Sequence, residues 1–227
     1  MFVKFAVSIL VCFLPLILGF FLFMGKAKIK PLHLLLAILL GLIAIFPGSI
    51  IQYFIPERWF LGKYPILLSL LKSLLVYGLL EEIFKAVFIA PLPKKDYSLL
   101  KFLCLSFMFG LSFCCFESVV YFLDNLQLAI NRDAQFLYSL IFSRLFTSDI
   151  IHTVCAGLCG LFIYSCFCKE TRAKVSCLIY AIVLHGLYDF FIGFRNGLKW
   201  FFIPVLFLAI LECRIKYTGL KSEIDGE

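Results

Sequence analysis

Charge is what this chain has least of. Asp, Glu, Lys and Arg make up 15% of its 227 residues, while 63% are hydrophobic and the mean hydropathy is +1.04. Soluble domains run about a quarter charged and about half apolar, so the composition excludes a soluble globular protein. The ten cysteines include no C-x2-C pair of the kind that builds zinc ribbons. Most lie inside apolar runs, where Cys behaves as a small hydrophobe. No small-residue cleavage site precedes Lys26, so the first apolar stretch is expected to stay in place as a span. No internal repeat is evident. The formal charge of +7 does not signal nucleic acid, because the basic residues sit at the ends of apolar runs, the pattern of membrane topology. The partner expected is a lipid bilayer.

Long apolar runs fill the rest. A helix of about 20 apolar residues crosses a hydrocarbon core of about 30 Å. The runs predict an all-α, polytopic integral membrane bundle of about seven helices, near 3–24, 32–55, 72–92, 101–123, 148–168, 175–194 and 199–213. Residues 1–213 then form a single transmembrane domain, and 214–227 a short polar tail. Residues 64–71 and 136–146 read as interfacial lead-ins, Ser148 as an N-cap, and Pro15, Pro47 and Pro204 as kinks. One set of alternating connections carries Lys26, Lys28, Lys30, Lys94, Lys95, Lys101, Lys169, Arg172, Lys174, Arg214, Lys216 and Lys221. The other carries Lys4, Arg58, Lys63, Lys72, Arg132, Arg144, Arg195 and Lys199. The richer set belongs in the cytoplasm, which puts the N-terminus outside and the C-terminus inside. Trp59 and Trp200 then fall at the outer interface.

Against this background a few ionisable residues stand out inside the spans. Glu81, Glu82 and Lys85 lie in the third, Glu117 in the fourth, His152 in the fifth, and His185 with Asp189 in the sixth. Each costs roughly 2.5–3.5 kcal/mol to insert and marks function by default. At about 1.5 Å of rise per residue, all lie about 17–26 Å from the basic residue at their cytoplasmic end. Four spans thus bring polar groups to one layer, in the middle to outer half of the bilayer. His185 and Asp189 share a helix face, as do Glu81, Glu82 and Lys85. Four acids against one lysine must take up protons or hold a metal cation such as zinc.

The motifs are Glu81-Glu82-x-x-Lys85, Phe113-x-x-x-Glu117 and His185-x-x-x-Asp189, with Arg144, His152, Gly157 and Gly160 resembling a fourth. Together, over about 72–195, they resemble the PrsW family of intramembrane proteases, related to the CAAX prenyl proteases. The resemblance implies hydrolysis of a peptide bond in a membrane-anchored, single-span substrate, such as an anti-sigma factor. It also implies a bacterial cytoplasmic membrane. In the prenyl-protease branch the positions of Glu117 and Asp189 are usually His and Asn, and an ionised Asp cannot donate to an oxyanion as Asn does.

The expected catalytic set is Glu81, Glu82, Glu117, His185 and Asp189. Glu81 is the general base, Glu117 helps to hold the water, His185 polarises the carbonyl, and Asp189 fixes its tautomer. Glu82 and Lys85 form a brace, and His152 serves as proton donor or ligand. Arg144 supports the set, although a snorkelling interfacial role is its commoner reading. A metalloprotease with His152, His185, Glu117 and Asp189 as ligands stands beside the glutamate-type route. A silent scaffold binding a partner helix and a proton-coupled transporter are the non-proteolytic alternatives.

Overall fold

The computed structural model describes residues 7, 9–124, 142–167 and 174–226. Among them every regular element is helical. In order they are α1 (Leu14–Gly25), α2 (Pro31–Phe54), α3 (Pro65–Lys72), a π-helical segment (Ser73–Leu79), α4 (Leu80–Ile89), α5 (Leu99–Asp124), α6 (Ser148–Phe167), α7 (Val175–Ile192) and α8 (Phe202–Asp225). Short 3-10 turns at Glu57–Phe60, Lys94–Asp96 and Gly197–Phe201 link them. Lys4, Arg132, Lys169 and Arg172, and residues 136–141 of the second lead-in, lie outside the described residues.

Among the described residues, four helices are long and apolar enough to cross a membrane: Pro31–Phe54, Leu99–Leu123, Phe142–Phe167 and Val175–Ile192. The first expected span appears as a shorter apolar helix, Ile9–Gly25. The third departs most from expectation. The lead-in becomes α3, the π segment follows without a break, and α4 begins just before the glutamate pair. The last helix runs to Asp225 and ends where Gly226 takes a left-handed φ of 77°, so the polar tail continues the helix.

Only Pro47 sits inside a helix. Pro15 falls at the start of α1 and Pro204 in the first turn of α8, where a missing N–H breaks no intrahelical bond. Pro204 thus opens a helix instead of kinking it, while Pro15 follows the turn at Phe13 that interrupts the helical run Ile9–Gly25. Lys72 pairs with Glu57 at 2.5 Å, which ties α3 to the preceding turn.

Lipid offers apolar side chains no reason to leave it, so close backbone packing must hold the bundle. Apolar residues such as Leu35, Phe46, Ile50 and Phe207 face outward accordingly. Inside, α5 packs on α6 around Phe102, Phe109, Ile151 and Leu158. A Cβ on Gly110 would lie 2.7 Å from the Thr153 Cα, so the two backbones touch there. The π segment meets α7 in the same way. A Cβ on Gly78 would reach the Ile182 carbonyl at 2.5 Å, and one on Gly186 the Leu74 Cα at 2.8 Å. This contact sets Glu81, three residues past Gly78, opposite His185, one residue before Gly186.

Candidate active site

Glu82 and Lys85, one turn apart on α4, are fully buried. The Lys85 ammonium donates to Glu82 Oε1 at 2.6 Å and to His152 Nδ1 of α6 at 2.9 Å. It also lies 4.6 Å from the Phe113 ring centre, so the Phe of the F-x-x-x-E motif stacks a π face on the buried cation. His152 therefore accepts at Nδ1, which puts its proton on Nε2, 2.9 Å from Glu117 Oε2 of α5. On α7, His185 gives its Nδ1 proton to Glu82 Oε1 at 2.7 Å. Its Nε2 faces Asp189 Oδ2 at 3.4 Å and Glu81 Oε2 at 3.8 Å. The two imidazoles meet edge to face, with centroids 4.6 Å apart.

All of the expected residues converge, but with different pairings. Asp189 was expected to orient His185, yet the hydrogen-bonded nitrogen belongs to Glu82. Arg144 does not snorkel to the interface. It donates to Glu117 Oε2 at 2.7 Å, Ser118 Oγ at 3.0 Å and Ser148 Oγ at 3.0 Å. A guanidinium that satisfies a carboxylate and two hydroxyls is worth more inside the bundle than at its rim. Four acids of the layer now face two fixed cations, Lys85 and Arg144, so part of the negative excess remains.

Gln52 of α2 was missed. Its amide donates to Glu81 Oε1 at 2.9 Å and to the Val76 carbonyl at 3.2 Å, bridging the carboxylate to the π segment. The available signal was a lone amide near the end of an apolar run.

A cavity of about 320 Å³ opens beside the cluster, lined by Ser49, Gln52, Tyr77, Glu81, Glu117 and Asp189 among others. Glu82, Lys85 and the two histidines are buried more deeply than these acids. Glu81 Oε2 is buried and, among the described residues, has no hydrogen-bond partner. A carboxylate oxygen in that state costs at least about 1–3 kcal/mol, so water, substrate or an ion belongs beside it. One donor atom each from Glu81, His152 and His185 lie within 4.8 Å of one another. Glu81 thus joins the two expected histidines in that trio, while Glu117 and Asp189 stand beside it.

Comparison with known proteins adds the chemistry. No curated protein and no solved structure matches the chain. A family model described as PrsW family intramembrane metalloprotease matches residues 30–212, the bulk of the chain and every residue of the site. With its polar cluster walled in by apolar helices, this chain belongs to the PrsW family of intramembrane proteases.

Proposed function

We propose that the cavity at Glu81, Glu117, His185 and Asp189 hydrolyses a peptide bond of a single-span membrane protein, an anti-sigma-factor-like substrate, in the outer half of a bacterial cytoplasmic membrane. In this reading the N-terminus lies outside and the C-terminus in the cytoplasm. The observation that carries the proposal is the unpartnered Glu81 oxygen on a polar cavity, facing the His185 nitrogen that is not bonded to Glu82. Membership of a protease family favours this over the scaffold and transporter readings.

The residues fit the metal that the family name implies. A histidine that gives one N–H to a carboxylate and keeps the other nitrogen free is the usual form of a metal-ligating histidine, and Glu82 and His185 make that pair. Glu81 Oε2 and His185 Nε2 would hold the ion. His152 would join them by exchanging its bond to Glu117, with Lys85 turning wholly to Glu82. Bound there, a divalent ion such as zinc would act as a Lewis acid on water and on the scissile carbonyl.

The protein's own groups do the rest. Lys85 holds the Glu82 carboxylate, and Glu82 orients His185. Arg144 engages Glu117 Oε2, which leaves Oε1 to take a proton from water in the cavity. The hydroxyl adds to the carbonyl carbon, the C–N bond breaks, and the same carboxyl returns the proton to the leaving amine. Asp189, at the cavity wall, steers the Nε2 face of His185. Without a bound ion, Glu81 itself would be the base.

Co-expression with single-span reporters tests the proposal. Glu81→Gln, Glu117→Gln and His185→Ala are each expected to abolish cleavage, while Lys95→Ala leaves it intact. Unchanged cleavage by all three would overturn the assignment.

A further inference from the structure

The site described above leaves unused a second buried cluster. Cys114 and Cys115 of α5 and Asp149 of α6 each present a donor atom within 4.8 Å of the other two, and all three residues are buried. Asp149 is 3% exposed, and neither of its carboxylate oxygens has a hydrogen-bond partner among the described residues. Consecutive residues on a helix point about 100° apart, so two adjacent cysteines rarely address one group. Here both bracket the same carboxylate. The Cys114 thiol bonds the Leu111 carbonyl at 3.2 Å and lies 4.0 Å from the Asp149 carbonyl, which leaves the carboxylate unsatisfied.

We infer that Cys114, Cys115 and Asp149 form a site for a thiophilic divalent cation of the zinc class. Two thiolates and a carboxylate are a thiolate-rich set that suits tetrahedral zinc, with one position left for a fourth ligand. Binding releases the two thiol protons to water and gives the carboxylate the partner it lacks. The cluster shares no residue with Glu81, His152 and His185. Its effect is to clamp α5 to α6 one turn from Glu117 and His152. This inference stands whether or not the proteolytic site holds a metal.

Cobalt distinguishes the two sites, because only a thiolate ligand gives a near-ultraviolet sulfur-to-cobalt charge-transfer band. The full chain, purified in detergent, is stripped with chelator and loaded with Co²⁺. The expected result is a charge-transfer band that survives in Glu81→Gln/His185→Ala, weakens in Asp149→Asn, and is lost in Cys114→Ser/Cys115→Ser. A folded wild-type protein with no such band overturns the inference. So does a band that is unchanged in the double serine variant, whose source would then be other thiols such as Cys155 and Cys159. If the double serine variant does not fold, the wild-type spectrum and Asp149→Asn decide the matter, and an Asp149→Asn spectrum identical to wild type also overturns it.

Discussion

The Lys85–Glu82 pair offers the sharpest test of the electrostatic reasoning. Both side chains are fully buried, 2.6 Å apart, and each has a second partner: His152 for Lys85 and His185 for Glu82. Breaking a buried pair by removing one partner strands the other charge, at a cost of about 3–5 kcal/mol. Glu82→Gln and Lys85→Met should therefore each destabilise the protein by about that amount. At about 2–4 °C per kcal/mol for a chain of this length, each should lower Tm by roughly 6–20 °C. The double variant leaves no stranded charge and should unfold above either single variant, with a coupling energy of at least about 2 kcal/mol. Thermal unfolding in detergent micelles measures all four corners of the cycle. Additive losses would refute the claim that the pair is a coupled, desolvated unit. Cleavage of a reporter should fail in Glu82→Gln and in the double variant, because His185 loses its orienting carboxylate, and in Lys85→Met, because the ammonium no longer holds that carboxylate.

Three further outcomes follow from the geometry. Gly186→Ala forces a Cβ to within 2.8 Å of the Leu74 Cα, so it should cost about 1–3 kcal/mol and abolish cleavage, whereas Gly197→Ala, with open space around it, should change neither. Gln52→Leu removes the hydrogen bonds to the Glu81 carboxylate, worth about 1.5–3 kcal/mol, and to the Val76 carbonyl, and should lower both Tm and kcat, the latter by up to roughly 10- to 150-fold. Chelator treatment should abolish cleavage and added Zn²⁺ restore it. Activity that survives complete metal removal would instead make Glu81 the base.

Much of the site was legible because charge in an apolar run is costly, and the exceptions therefore announce themselves. Glu81, Glu82, Lys85, Glu117, His152, His185 and Asp189 all meet in space, as their common depth required. What failed to show in the sequence failed for physical reasons. Arg144 has a long side chain near a span end, where snorkelling and inward pairing look alike, and only the approach of Glu117, Ser118 and Ser148 separates them. Asp149 read as the neighbour of an N-cap, because its burial against Cys114 and Cys115 depends on how α5 meets α6. The π segment is invisible to periodicity. It exists where Gly78 and Gly186 let two backbones touch.

The amino-acid order by itself determined that the chain is helical and membrane-embedded, since backbone groups in lipid must be satisfied within their own segment. It also singled out the residues that needed partners. Which partner each received was decided only by tertiary structure. Glu81 and Glu82 are chemically identical neighbours, yet a helix turns about 100° between them. The placement of α6 and α7 therefore buries Glu82 against Lys85 and His185, while Glu81 is left lining the cavity with an oxygen to spare.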